Sequence, residues 1–164
     1  MGFTFNADEV FQVAIDIERN GAAFYRRAAE LQSDVAQKEF FEGLAHMEDT
    51  HERTFKRMRE ELTGQEGGAT GYEPDSEAAL YLQALANGHG GEGNPAEARS
   101  LSGNETVEDI LRIGIGLEKN SILYYSGLLE MIPEKLGRDR VELIIAEERK
   151  HVAQLSRALS DFTD

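Results

Sequence analysis

Glu148-Arg149-Lys150-His151 and, 100 residues earlier, Glu48-Asp49-Thr50-His51 carry the same Glu-x-x-His pattern on two strongly helical runs. A spacing of three places carboxylate and imidazole on one face of a helix, one turn apart, where both can reach a single metal ion. Read singly, each pair is as easily an exposed helix face. Read together they say more, because the same offset of 100 also relates Glu18 to Glu118 and Tyr25 to Tyr125.

The residues around these pairs supply a physical context. Steps of three and four through the second run give Phe41, Leu44, Glu48, His51, Phe55, Met58 and Leu62. The last run gives Val141, Ile144, Glu148, His151, Leu155, Ala158 and Phe162. The first gives Phe11, Ala14, Glu18, Gly21 and Tyr25, and the third Leu111, Gly114, Glu118, Ser121 and Tyr125. These are the inward stripes of four amphipathic helices, apolar above and below and ionisable at mid-height. A buried, uncompensated carboxylate costs several kcal/mol, so four converging on one core need cations. Two divalent ions balance four carboxylates, and neutral imidazoles complete the sites without adding charge. Glu18, Glu48, His51, Glu118, Glu148 and His151 are therefore candidate ligands of a two-metal centre, with Glu48 and Glu148 as the bridges. Tyr25 and Tyr125 are core aromatics whose hydroxyls can also serve the ligand carboxylates across the bundle. Oxygen-rich sites with one imidazole per metal suit iron or manganese, and zinc can occupy them by affinity.

A chain of 164 residues is long enough for one domain with a sizeable core, and residues 1–164 read as one. The net charge of −14 disfavours nucleic acid and anionic membranes as partners and favours cations. The absence of cysteine excludes disulfides, iron–sulfur clusters and cysteine-based zinc sites. The start, Met-Gly-Phe-Thr-Phe-Asn, lacks a basic segment and an apolar core, and no run approaches the ~20 apolar residues of a membrane span. On these grounds the protein is expected to be cytoplasmic.

The pattern predicts an all-α antiparallel four-helix bundle. Asn6 and Glu9 have capping-box spacing, and the first helix should run to about Leu31. Ser33 and Asp34 break it and can cap a second helix ending near Leu62, before Gly64. Thr106 and Asp109 mimic a capping box for the third, which ends before Pro133, and a turn through Gly137 leads to the fourth, about Asp139 to Leu159. Residues 64–103 hold nine of the 16 glycines and two of the three prolines, and enclose a short helical stretch between Asp75 and Asn87, capped by Asp75 or Ser76. So long a connection is unusual in a compact domain unless it crosses the length of the bundle. Here it must, because the second and third helices have to run parallel if the paired halves are to face each other. The segment could instead serve as a lid or partner surface. His89 reads as a solvated loop residue, and His46 falls on an exposed face.

The halves 6–62 and 106–162 align without a gap, with nine of 57 positions identical. Those nine include all six candidate ligands as three pairs, which points to a duplicated helical hairpin.

Glu18 with Phe24-Tyr25, Glu48-x-x-His51, Glu118 with Tyr124-Tyr125, and Glu148-x-x-His151 resemble the motifs of the rubrerythrin family, within the ferritin-like superfamily. The resemblance covers the helical parts of the chain. It implies a ferritin-like bundle with one long crossover, a centre of two iron ions per chain, a homodimer, and reduction of hydrogen peroxide or oxidation of ferrous iron with dioxygen or peroxide as partner. Two departures stand out. Rubrerythrins typically carry a further Glu one turn after the third-helix ligand, where this chain has Ser121, with Gly21 as its repeat mate. They also typically carry a rubredoxin-like iron–cysteine domain, so a peroxidase without cysteine would need an external electron donor. The alternatives are a non-enzymatic iron-binding or iron-sensing protein and a metal-free helical interaction module.

Overall fold

A computed structural model describes residues 7–63, 77–86, 101–132, 134 and 137–163. They form five helices: α1 Ala7–Glu30, α2 Val35–Thr63, α3 Glu77–Ala86, α4 Val107–Met131 and α5 Arg138–Thr163. Among the described residues there is no strand. The expected caps at Asn6, Asp75 and Ser76 lie outside this set, as does His89. Those that lie inside it form. Asp34 Oδ1 accepts from the Gln37 amide at 2.9 Å and so opens α2. Thr106 Oγ accepts from the Asp109 amide at 3.1 Å, and Asp109 returns the bond to the Thr106 amide at 3.0 Å. Each satisfies backbone donors that the first turn leaves free. Gly137, at φ +95°, makes the turn into α5 in the left-handed region that glycine adopts without strain.

Helix directions follow from which residues meet. Arg59 grips Asp8 through two bonds of 2.6 and 2.7 Å, Arg19 reaches Glu52 at 3.1 Å, and Arg26 pairs with Asp49. Residue numbers thus fall along α2 as they rise along α1, so the two are antiparallel. Such exposed pairs are each worth at most about 1 kcal/mol, and their larger effect is on register. Tyr25 meets Glu118 and Tyr125 meets Glu18, which makes α1 and α4 antiparallel as well. It follows that α2 and α4 run parallel, and that the connection between them spans the bundle as the sequence requires. The short helix α3 belongs to that connection. It lies against α4 with Ala79 and Leu82 buried, and its close approach depends on Gly127, where a Cβ would stand 2.9 Å from the Tyr81 ring.

The interior is built in three layers. One apolar cluster gathers Phe11, Phe55, Met58, Tyr124, Leu128 and Ile144 with Leu82 of α3. A second gathers Phe24, Phe41, Leu44, Leu111 and Leu155. Between them lies the polar layer. One expected inward position differs: Phe162 is 50% exposed. Helix α5 continues to Thr163, past the expected end near Leu159. The contacts of His51 with Glu148 and of His151 with Glu48 place its last turn level with the start of α2, where Val35 is exposed too. At that end the bundle has run out of neighbours to cover the ring. His46 is exposed, as its face predicts.

Candidate metal centre

Each bundle helix delivers one carboxylate to the polar layer, and α2 and α5 add an imidazole one turn further on. Glu18, Glu48, Glu118 and Glu148 are 0–3% exposed, and His51 and His151 are 1% and 4% exposed. The structure thus brings all six sequence-selected side chains together. They fall into two overlapping groups, Glu18–Glu48–His51–Glu148 and Glu48–Glu118–Glu148–His151, each with donor atoms within 4.8 Å of one another. Glu48 and Glu148 belong to both groups, the place a bridging carboxylate would take.

Glu148 shows the geometry most directly. Its Oε1 is 3.0 Å from His51 Nδ1 and its Oε2 is 2.9 Å from His151 Nδ1. The imidazole rings lie 6.0 Å apart and nearly parallel, at 23°. Each Nδ1 also faces the other carboxylates, with Glu18 Oε2 at 3.3 Å from His51 and Glu48 Oε1 at 3.4 Å from His151. Those two oxygens are buried and receive no well-formed hydrogen bond. Gly21 leaves the space that Glu48 occupies, since a Cβ there would lie 3.3 Å from Glu48 Oε2. Beside it, a cavity of about 10 Å³ opens between Gly21, Tyr25, Glu48, Glu118 and Ser121. That is about the room one water molecule needs.

The electrostatics are those of a layer overfull of acid. Burial and the Glu148 charge push Glu18 above the ordinary carboxylate range, and burial and Glu18 push Glu48 well above it. Burial and Glu48 push Glu148 up to about 8. Burial also works against the charge of Glu118, but bonds from His151, Glu148 and Tyr25 outweigh it and hold this carboxyl low. For His51, burial opposes the charged ring, yet Glu148 and Glu18 outweigh it and push it up to about 12. For His151, Glu118, Glu148 and Glu48 do the same against burial, again to about 12. The cluster therefore retains protons on the imidazoles and on part of its carboxyls. Cations at the same place would displace them.

The tyrosines cross between halves. Tyr25 donates its hydroxyl to Glu118 Oε1, and Tyr125 donates to Glu18 Oε1. Burial and the accepting carboxylate raise both phenols well above their ordinary value, so they remain donors. Tyr125→Phe should cost about 1–3 kcal/mol of stability, because it leaves a buried carboxylate oxygen without its donor. Chemical denaturation of the metal-free protein measures this, and a loss below about 0.5 kcal/mol would contradict the assignment.

One residue of the site has no sequence signature. Glu147 Oε2 lies 2.6 Å from His51 Nε2, on the ring edge away from the centre. Its repeat mate is Met47, so the twofold pattern that reveals the six ligand candidates passes over it.

The donor set fits metal ions. It offers two orphaned buried oxygens, one imidazole per group, and carboxylates shared between groups, a chemistry that suits iron or manganese.

A bundle with parallel second and third long helices, one spanning crossover and a carboxylate–histidine layer at mid-height defines a ferritin-like fold. No protein-family model matches the chain, and no curated protein matches it. Among solved structures, a candidate ferritin-like diiron-carboxylate protein from Thermotoga maritima superposes with a TM-score of 0.67. The two chains are 22% identical and the match covers 98% of each, which establishes the shared fold. No described helix is long and apolar enough to cross a membrane.

Proposed function

We propose that this chain is a di-iron redox protein, rubrerythrin-like in its ligand set, that reduces hydrogen peroxide. The observation that carries the reading is the membership of Glu48 and Glu148 in both donor groups, which supports two adjacent sites rather than one. The name of the Thermotoga maritima neighbour supports the same metal. Glu18, His51 and the shared carboxylates would hold one ion, and Glu118, His151 and the same carboxylates the other. Two adjacent ferrous ions would supply the two electrons that, with two protons, convert one peroxide to two waters. An external one-electron donor would restore the ferrous state.

The residues of the chain bind and position. Tyr25 and Tyr125 fix the terminal carboxylates, and the apolar clusters on either side limit access by water. Metal ions held there would displace the protons that the imidazoles and carboxyls otherwise retain.

The test is anaerobic titration with ferrous iron, followed by stopped-flow mixing with peroxide or dioxygen. The expected result is two ions per chain, as the two donor groups require, and faster oxidation by peroxide. Binding below about 1.5 ions per chain overturns the two-metal reading. Equal or slower oxidation by peroxide reassigns the centre to ferrous-iron oxidation. Ser121, where a rubrerythrin has a further Glu, is the residue such a result would implicate.

A further inference from the structure

The twofold repeat predicts two equivalent halves of the centre, and the pair Glu147 and Met47 departs from that. Glu147 Oε2 lies 2.6 Å from Nε2 of His51. The mate of Glu147 is Met47, whose thioether is only a weak acceptor. Among the described residues, no side chain accepts from Nε2 of His151. Instead His151 lines a groove of about 610 Å³ between α2 and α5, together with Met47, Leu44, Gln154 and Glu147. His51 does not line it, because Glu147 stands between His51 and that space.

Resting on the two-metal reading above, we propose that the two sites are inequivalent: Glu147 is a positioning residue that locks the His51 site, and the His151 site, which borders the groove, is the one that exchanges its metal. Both imidazoles turn Nδ1 toward the carboxylates, so Nδ1 is the ligating atom and Nε2 keeps its hydrogen. At His51 that hydrogen is donated to Glu147. Such a carboxylate fixes ring orientation and tautomer and makes the imidazole a stronger ligand, and its removal typically costs 10–100-fold in metal affinity. At His151, which lines the groove, no described side chain accepts the same hydrogen. The entry route and the weaker ligand thus fall on the same site.

Cobalt(II), added anaerobically to the metal-free full-length chain, tests this without any assay of turnover. Its d–d absorption follows binding, and its paramagnetism shifts the imidazole N–H proton resonances clear of the rest of the spectrum. The wild type should bind in two steps and show two shifted N–H resonances, one exchanging with D2O at least about tenfold more slowly. Glu147→Ala should weaken the tighter step by about 10–100-fold and make both protons exchange fast. Glu147→Gln, which keeps an accepting oxygen, should restore part of the loss. Met47→Glu should slow the second proton and tighten the weaker step. The side chain of Glu147 is 37% exposed, so its substitutions leave the core intact. Equal exchange rates in the wild type, or affinities unmoved by Glu147→Ala, would overturn the inequivalence and leave the two-metal reading standing. No cobalt bound in the wild type would overturn both.

Discussion

Glu148→Gln is expected to leave the metal-free protein folded while cutting its capacity from two ions per chain to one or none. Glu148 is fully buried, it lies about 3 Å from both imidazoles, and it belongs to both donor groups. Burial and the Glu48 charge push its carboxyl up to about 8, so the folded, metal-free protein favours its neutral form. An amide copies that shape and charge. One mismatch remains, because the amide NH2 now faces one imidazole nitrogen, and a lost buried hydrogen bond costs about 1–3 kcal/mol. For a chain of this length that lowers the thermal midpoint by about 2–4 °C per kcal/mol. Metal binding has no such tolerance. An amide carries no charge to offset a cation and cannot bridge two of them. Calorimetry of the metal-free variant, with elemental analysis after anaerobic iron loading, reads both effects. Retention of both ions would contradict the bridging role.

The second large effect is stabilisation by metal, and it should grow with pH. A site filled at 100 times its dissociation constant contributes about 2.7 kcal/mol, so two contribute about 5 kcal/mol. That corresponds to a rise of about 10–20 °C in the thermal midpoint. The pH trend follows from the protons. Against burial, the facing carboxylates push His51 and His151 from the free imidazole's 6.5 up to about 12, and burial and Glu48 push Glu148 from the free carboxyl's 4.5 up to about 8. All three are raised, so the stability they contribute is complete below the unfolded values. It is lost as pH rises, between about 4.5 and 8 for the carboxyl and between about 6.5 and 12 for the imidazoles. The metal-free protein should therefore weaken from pH 6 to pH 8.5. The loaded protein has already released these protons and lacks that loss. Thermal melts with and without manganese(II) at the two pH values test it. An increment that stays constant or shrinks toward pH 8.5 would refute the linkage.

Legible in the sequence is whatever repeats or recurs with a fixed period. The 3.6-residue stripe marks the long helices, and polar caps such as Asp34 and Thr106 mark two of their starts. The offset of 100 picks out the six residues that the fold then gathers. Properties set between helices are not legible there. Phe162 continues a perfect apolar stripe, and only the register of α5 against α2 shows that its turn has no cover. Glu147 sits beside a ligand candidate in sequence, but its role depends on which edge of His51 faces α5. The groove at His151 likewise arises from how loosely α2 and α5 meet away from the polar layer, compared with the close packing of α1 on α2.

The crossed tyrosines carry a consequence for descent. Each donor group draws on both halves, and each half's tyrosine holds the other half's glutamate. A single ancestral hairpin would carry every ligand type yet complete no site until it met a second copy of itself. In such a pair one codon governs both ends of the centre, so any two metals held there would be treated alike. Two such hairpins within one chain would be free of that constraint. Positions 47 and 147, mates in the repeat, hold methionine and glutamate in this chain. A chain of that kind could treat two bound ions differently, which a symmetric pair of identical hairpins could not.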